Sequence, residues 1–388
     1  MTQQSVALQA IHPYTTYMDS LFKARLAQLT SCNTSVDVQA PQQMSDAAQV
    51  EYHEVVNILV QAYLHPVQVS WDVEDYQMEC FRRRISDGMQ DKEQKLAKDF
   101  PSIRQEMRSV HSPRTVTDKY GRIIVWILPN ILPIRIQALL EECTGEIAQD
   151  MSRTLAANAC SKSWRFARQY FRKLTNSFPP GILNFSAAWF MLGREGKQDG
   201  LVSSPVLRSE CGAAWMRRFT EVGALVSGIL RIMNPDQYRM GYEVIQGLMQ
   251  YDQVVHALSQ WPCIFNAVTT ISNRCSPMHR DIKGSFPFFD LLISTGDYST
   301  APLSIQPIGI QFPNGPGSVC GLSGVGFQHG VAAADGARLC HALYMRKSLQ
   351  LFTCVRPSSW MTQETYRAWL GGGVAASQIH LRLDLDSI

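Results

Sequence analysis

Arg338-Leu-Cys-His-Ala-Leu-Tyr-Met-Arg346 is the stretch of sequence that says most about the fold. Its residues suit a β-strand, in which successive side chains point to opposite faces. One face then carries Arg338, Cys340, Ala342, Tyr344 and Arg346, and the other face is mostly apolar. A charged Arg on the same face as a Tyr is unusual in a packed core, so we expect this strand to line a site.

The strand is one of six short β-rich runs that follow Pro262 and are separated by Gly, Pro, Asn and Asp. The runs cover residues 264–272, 286–294, 305–312, 318–322, 338–344 and 349–355. Several strands at this spacing favour a barrel or jelly roll over a parallel sheet. We therefore expect a double-stranded β-helix, or jelly roll, at about residues 262–356.

Helical patterns dominate the chain before this core. Residues 134–157 and 211–233 predict helices, and residues 121–128 predict a buried strand. The first 110 residues also show helical periodicity and carry no catalytic constellation. The sequence therefore predicts an α+β fold, with a mostly helical N-terminal region of unknown role at 1–110 and a catalytic domain at 111–388 in which helices flank the jelly roll.

Charge and cysteine content argue against several classes of protein. Lys and Arg total 36 while Asp and Glu total 33, a balance too even to indicate a polyanionic partner by net charge. The ten Cys include no C-x-x-C pair, which argues against a zinc ribbon and a secreted disulfide framework. No signal-peptide pattern and no apolar run of about 18 residues is present. We expect an intracellular protein without a membrane partner.

A candidate metal site lies within the β-rich region. His279-Arg-Asp281 forms an H-x-D pair, and His329 follows 50 residues after His279. Two His and one carboxylate can occupy one face of an octahedral Fe(II), which leaves three positions for 2-oxoglutarate and O₂. If the H-x-D pair lies on a strand, both side chains leave the same face. An H-x-D pair alone is weak evidence, because a chain of this length and composition is expected to contain about 0.5 such pairs by chance.

Arg338 adds an independent argument for a 2-oxoglutarate site. The fork of a guanidinium matches a carboxylate in bidentate geometry, so Arg338 could hold the distal carboxylate of the cosubstrate. The alternative is an Arg at a strand start that reaches solvent. His341 points to the opposite face of the strand and is expected to be structural.

Four segments carry a resemblance to a known family. Cys275-Ser-Pro-Met-His-Arg-Asp-Ile-Lys-Gly284, Phe286-Pro-Phe-Phe-Asp-Leu-Leu-Ile-Ser294, Phe327-Gln-His-Gly-Val331 and the strand at 338–346 resemble the TET/JBP nucleic-acid-base dioxygenases, especially the basidiomycete fungal branch. The resemblance is best over residues 117–356. It implies that His279, Asp281 and His329 bind Fe(II), that Arg338 binds 2-oxoglutarate, and that the protein is nuclear.

The same resemblance implies a substrate. The family oxidises the methyl group of a flipped base, with release of succinate and CO₂, and its stacking residue corresponds to Tyr344. The base-contacting position two residues later, commonly His, is Arg346 here, and Gly284 stands where animal members have Asn. Both departures weaken an assignment to 5-methylcytosine. The expected substrate and partner is DNA that carries 5-methylcytosine, N6-methyladenine or both.

Asp290 and a basic segment are candidates for substrate contact. Asp290 lies in an apolar run, where its carboxylate needs a partner; this could be a substrate amino group, a nearby Arg or a backbone amide. Residues 162–173 contain four aromatic residues and no acid, and suit either phosphate contact or an amphipathic helix. The basic residues of this segment are Lys162, Arg165, Arg168, Arg172 and Lys173.

Two further interpretations stay open from the sequence. The same iron chemistry could act on RNA or on a protein side chain, because the metal ligands and Arg338 do not specify what approaches the metal. The chain could also be a non-catalytic, transposon-associated nucleic-acid-binding protein, although such a protein would have no reason to keep the full set of site residues.

Overall fold

The computed structural model describes residues 5–30, 37–103, 107–175, 177–281, 283–362 and 364–366. The part of the predicted catalytic domain at 367–388 lies outside the described residues. Helices in the described part are α1 (Val6–Thr30), α2 (Asp46–Leu64), α3 (Val73–Arg82), α4 (Gln90–Asp99), α5 (Ile134–Ala157), α6 (Glu210–Arg218), α7 (Thr220–Met233), α8 (Pro235–Leu248), α9 (Asp252–Gln260) and α10 (Lys347–Phe352).

Strands alternate with these helices and concentrate in the C-terminal half. They are β1 (Val67–Gln68), β2 (Arg108–Ser109), β3 (Arg114–Thr117), β4 (Ile123–Leu128), β5 (Gly181–Ser186), β6 (Trp189–Phe190), β7 (Leu201–Val202), β8 (Ala267–Ser272), β9 (Ser276–His279), β10 (Asp290–Asp297), β11 (Leu303–Ile305), β12 (Ile310–Phe312), β13 (Val319–Leu322), β14 (His329–Val331) and β15 (Ala337–Tyr344).

Two sheets build the jelly roll. The large sheet has the strand order β1-β3-β4-β13-β10-β15-β8-β5, and the small sheet has the order β2-β12-β11-β14-β9. Pairing is antiparallel except between β1 and β3 and between β2 and β12. The predicted α+β fold with a jelly-roll core and a helical N-terminal region is confirmed.

Helices cover the outside of the large sheet and share its core. α7 is apolar on nearly every side, with Leu225 and Ile229 fully buried, because α1 and α8 pack against it. Each such buried side chain contributes about 1.5–3 kcal/mol of hydrophobic free energy. One cluster of buried apolar side chains forms the main core, and its members come from the whole range between Leu8 and Tyr366. The division of the chain at residue 110 stays a prediction.

Several predicted elements are confirmed and others need correction. The predicted helix at 134–157 has the bounds of α5. The predicted helix at 211–233 is two helices that meet at Phe219, and the run at 305–312 is two strands separated by a turn at Gly309, where φ is +76°.

The predicted strand at 349–355 is wrong, because this segment begins in α10. Leu349 and Gln350 are adjacent and both buried, whereas Leu351 is exposed. A strand with one buried face would bury every second residue instead. None of the helices in the described ranges is long and apolar enough to cross a membrane.

Candidate active site

The candidate metal ligands meet where β9 and β14 pair. His329 lies opposite His279 in the register of these two antiparallel strands, which brings together residues 50 positions apart in sequence. Asp281 lies just beyond the end of β9, so the expectation that the H-x-D pair shares one strand is wrong. Its carboxylate nevertheless turns back toward both rings.

The three side chains form one cluster of metal-binding atoms. The ligand atoms of His279, Asp281 and His329 lie within 4.8 Å of one another. Asp281 Oδ1 is 3.9 Å from His279 Nε2, and Asp281 Oδ2 is 3.9 Å from His329 Nε2. In the described part of the chain, no other group of three or more such residues lies this close. The cluster could hold one divalent metal ion.

Hydrogen bonds fix the imidazole tautomers in the form that a metal needs. His279 Nδ1 donates to the carbonyl of Pro277 at 2.8 Å, and His329 Nδ1 donates to the carbonyl of Phe327 at 3.0 Å. A carbonyl oxygen can only accept, so the proton is on Nδ1 and the Nε2 lone pair is free. Burial, followed by the neighbouring His329, lowers the pKa of His279 and keeps its ring neutral.

Asp281 is the anionic member of the cluster. Burial acts to raise its pKa, but His329, His279 and the guanidinium of Arg165 together lower the pKa below the ordinary value. The cluster therefore presents two neutral imidazoles and one carboxylate at neutral pH, which is a donor set suited to Fe(II).

Arg338 is a buried cation that has no anionic partner within the described part of the chain. Its side chain is on the inner face of β15 and the residue is 5% exposed. Nη2 donates to Ser294 Oγ at 2.9 Å and Nη1 donates to the carbonyl of Arg274 at 3.4 Å, while Nε has no hydrogen-bond partner in the described ranges. No acidic side chain of the described residues pairs with Arg338. Since a buried charge is costly without a counter-charge, the site suits a carboxylate ligand such as that of 2-oxoglutarate.

Arg274 is a second, half-buried cation in this region. Burial lowers the pKa of its guanidinium to about 10, so the group is still charged at neutral pH. The guanidinium lies over the rings of Trp164, at 5.1 Å, and Phe171, at 6.0 Å. Two cations near the cluster match the two negative charges of 2-oxoglutarate.

Residues 162–173, here called the covering segment, close one side of the site. The amphipathic helix considered for this segment does not form; the chain makes two 3₁₀ turns at Trp164–Phe166 and Arg168–Tyr170. The Trp164 ring packs edge-on against His279 at 4.6 Å. Arg165 Nη2 donates to Asp281 Oδ1 at 3.2 Å, so this cation faces the metal ligands.

The outer side of the covering segment is basic. Phe166 and Phe171 pack against an apolar patch on the inner face of the large sheet. The side chains of Lys162, Arg168, Arg172 and Lys173 are exposed. Arg172 also donates to the carbonyl of Ala334, which ties the segment to the loop before β15.

Tyr344 and Arg346 lie at the opposite end of β15 from Arg338. The Arg346 guanidinium is 5.1 Å from the Trp189 ring and 5.5 Å from the Tyr344 ring. The Tyr344 hydroxyl accepts from Thr269 Oγ1 at 3.4 Å, and Arg346 Nε has no hydrogen-bond partner among the described residues. Both residues are half-buried, so an aromatic face and an unused donor lie together.

Asp290 has the backbone-amide partner that was one of the expected alternatives. Its Oδ2 accepts from the Gly324 amide at 3.2 Å, while Oδ1 is buried and has no hydrogen-bond partner in the described part of the chain. Burial, followed by repulsion from Asp281, raises the pKa of Asp290 well above the ordinary value. A protonated carboxyl can donate as well as accept a hydrogen bond.

His341 is structural, as expected, and predicts a pH effect on stability. It is fully buried, and burial followed by Arg338 lowers its pKa to about 3. The pKa of this ring is about 6.5 in the unfolded chain and about 3 in the folded protein. Between these pH values the ring binds a proton only in the unfolded chain, so stability falls as pH falls. On acidification from pH 7 to 5.5, protonation of His341 in the unfolded chain should lower the free energy of unfolding by about 1 kcal/mol.

Urea unfolding of the wild type and of His341→Leu at both pH values measures this contribution. The substitution should make the loss of stability on acidification smaller by the stated amount. Equal losses in the two proteins would show that the folded ring accepts the proton.

Comparison with known proteins adds three findings. Residues 210–347 match the family model Tet_JBP, the oxygenase domain of the 2OGFeDO superfamily, and this range contains all the candidate metal, cosubstrate and base-contact residues named in the sequence analysis. The structure of NgTET1 in complex with 5mC DNA is similar at 15% identity and a TM-score of 0.44, covering 70% of this chain and 89% of that chain. The structure of JOX2 in complex with 2OG, Fe and JA is similar at 12% identity and a TM-score of 0.31, covering 77% of this chain and 79% of that chain. No curated protein sequence gave a significant match.

Proposed function

We propose that this chain is an Fe(II)- and 2-oxoglutarate-dependent dioxygenase that oxidises the methyl group of a modified DNA base. The match of residues 210–347 to the Tet_JBP oxygenase domain of the 2OGFeDO superfamily supports the dioxygenase assignment. In this proposal His279, Asp281 and His329 hold the iron and Arg338 holds the cosubstrate carboxylate. When bound, iron and 2-oxoglutarate supply the oxygen-activating chemistry, with succinate and CO₂ as by-products. The protein supplies the metal ligands and the cation.

Two unsatisfied buried groups on the base side of the site carry the proposal. Asp290 Oδ1 and Arg346 Nε both lack hydrogen-bond partners among the residues that the structure describes. Leu291 faces Leu343 where β10 pairs with β15, and this register places Asp290 level with Tyr344. The hydrogen-bonding edge of a base combines donors with acceptors, so it could pair with both groups at once.

Tyr344 would help to hold the base outside the helix. Removing a base from the stack costs a few kcal/mol, and stacking on an aromatic ring returns about 1–3 kcal/mol. The Arg346 guanidinium beside the Tyr344 ring keeps this surface positively charged. Because all bases offer a flat face, Tyr344 would bind the base and the polar groups would select it.

Asp290 is proposed as the residue that selects between bases. Asp290→Asn keeps the volume of the side chain but fixes which atom donates a hydrogen bond and which atom accepts one. Since one well-made base contact discriminates by about 1–3 kcal/mol, the ratio of 5-methylcytosine to N6-methyladenine oxidation should change by about 10-fold or more. Product analysis on mixed duplexes measures this ratio.

Asp297→Asn provides the matched control, since Asp297 is an exposed carboxylate at the far end of the same strand. It should leave the ratio unchanged. An unchanged ratio in Asp290→Asn, with normal succinate formation, would remove Asp290 from base selection.

The exposed cations of the covering segment are proposed to contact DNA phosphates. Arg168→Ala combined with Lys173→Ala should weaken duplex binding, and the slope of log affinity against log salt should fall by about 2, one for each lost phosphate contact. Fluorescence anisotropy at several salt concentrations measures the slope. The control is Lys98→Ala with Arg153→Ala, which removes two exposed cations from α4 and α5. Equal slopes in the two double variants would place the DNA elsewhere.

A substrate panel tests the proposed function. The wild type with Fe(II), ascorbate and 2-oxoglutarate is incubated with duplex DNA, single-stranded DNA and RNA that carry 5-methylcytosine or N6-methyladenine. Mass spectrometry then measures oxidised base and succinate. Oxidised base on DNA supports the proposal. Oxidation confined to RNA, or succinate without base oxidation on any strand, would transfer the same chemistry to another substrate.

A further inference from the structure

Arg280, the residue between the two ligands of the H-x-D pair, is almost fully buried. It is 3% exposed, and its guanidinium makes a two-point ion pair with Glu93 of α4, at 2.5 Å from Nε to Oε1 and 2.9 Å from Nη2 to Oε2. Nη2 also donates to the Tyr76 hydroxyl of α3 at 2.7 Å. Glu93 is 7% exposed, so the pair lies in the protein interior.

The same guanidinium connects the H-x-D pair to the segment that delivers the distant His. Nη1 donates to the carbonyls of Val325, at 3.1 Å, and Gly326. The Asp281 amide donates to the carbonyl of Gly324 at 2.9 Å. His329 follows this segment by three residues, so Arg280 holds the chain on both sides of the metal cluster.

Asp87, in the turn between α3 and α4, makes a second connection. Its Oδ1 accepts from the Arg280 amide at 3.4 Å, and its Oδ2 accepts from Trp164 Nε1 at 3.3 Å and from Arg165 Nη1 at 3.2 Å. Trp164 packs on His279, and Arg165 bonds to Asp281. The Asp87 carboxylate thus fixes the backbone of Arg280, which lies between the two ligands. It also fixes the side chains of Trp164 and Arg165, which cover those ligands.

Stability alone does not account for this arrangement. A buried Arg–Glu pair often contributes no more to folding than apolar side chains of the same volume, because both charges lose their hydration. Groups that orient metal ligands, in contrast, commonly change metal affinity by about 10- to 100-fold when they are removed. We propose that Glu93 and Asp87 are positioning residues of the metal centre. The segment from α3 to α4 would then contribute to metal binding.

The inference rests on the proposed metal ligands and not on the choice of substrate. It is tested on the full chain with Mn(II), a redox-stable probe, by following free Mn(II) in electron paramagnetic resonance titrations without DNA. The variants are Glu93→Gln and Asp87→Ala. The control is Asp99→Ala, which removes an exposed carboxylate of α4 that pairs with Arg83. Thermal unfolding of each metal-free protein reports stability separately.

The dissociation constant for Mn(II) is expected to rise by about 10- to 100-fold in Glu93→Gln and Asp87→Ala and to stay unchanged in Asp99→Ala. Because Asp87 is half-buried at the surface, Asp87→Ala decides the question even if Glu93→Gln does not fold. Folded variants with lower thermal stability and unchanged Mn(II) affinity would overturn the inference. Absence of Mn(II) binding by the wild type would overturn the metal site itself, and the positioning role with it.

Discussion

Asp281→Ala is expected to remove metal binding and, with it, all 2-oxoglutarate turnover. Asp281 is the one anion of the cluster, and its two oxygens face the two imidazoles at 3.9 Å. Without it, two neutral rings face the cation of Arg165, which repels a metal ion. Metal affinity should fall by more than about 100-fold, beyond the usual effect of residues that only orient ligands.

Metal-dependent stabilisation measures this effect without relying on activity. The wild type should unfold at a higher temperature with saturating Mn(II) than without it, since a ligand that binds only the folded state stabilises it. Asp281→Ala should lose this difference, whereas Asp297→Ala, which removes an exposed carboxylate of β10, should keep it. A metal-dependent shift that persists in Asp281→Ala would place the metal elsewhere.

Arg338→Met is expected to separate cosubstrate binding from metal binding. The substitution keeps an apolar stem and removes the guanidinium, so two charge-assisted hydrogen bonds to the cosubstrate carboxylate are lost. At about 1.5 kcal/mol or more for each bond, the KM for 2-oxoglutarate should rise by at least about 100-fold. Mn(II) affinity should change little, because Arg338 does not contact the metal ligands.

We expect Arg338→Met to improve the stability of the protein although it weakens cosubstrate binding. Arg338 is a buried cation without an acidic partner among the described residues, so its removal should stabilise the ligand-free protein against unfolding. Arg356→Met is the control, since Arg356 is an exposed cation paired with Asp236. An unchanged KM for 2-oxoglutarate in Arg338→Met would remove this residue from the cosubstrate site.

The sequence predicts Arg338 from strand alternation, and it predicts the metal cluster from the H-x-D pair together with the expected jelly roll and the family resemblance. Strand alternation places Arg338 on the inner face of β15. A jelly roll brings distant strands side by side, and the pairing of β9 with β14 places His329 opposite His279. The positions of site residues in loops could not be predicted from strand alternation or strand pairing. Asp281 reaches the cluster from a loop, whose path depends on the Gly324 backbone.

Residues far away in sequence complete the site, and no local pattern reveals them. Asp87 and Glu93 lie in a polar helical stretch with many similar carboxylates, and only tertiary packing distinguishes them. Trp164 and Arg165 suggested a basic amphipathic helix, whereas the structure forms 3₁₀ turns whose side chains split between the site and solvent. Composition indicated the charge of this segment but not which cation faces the metal ligands.

Oxygen-isotope labelling tests the central claim most directly. The wild type, Fe(II) and 2-oxoglutarate are incubated under ¹⁸O₂ with duplex DNA that carries 5-methylcytosine or N6-methyladenine, and succinate and nucleosides are analysed by mass spectrometry. We predict one ¹⁸O atom in succinate with either base and one in 5-hydroxymethylcytosine, formed in equal amounts and both absent in Asp281→Ala; N6-hydroxymethyladenine loses formaldehyde and leaves unlabelled adenine. Unlabelled succinate, unlabelled 5-hydroxymethylcytosine, or labelled succinate whose yield is independent of the methylated base would contradict the claim that the chain is an oxygenase that acts on DNA.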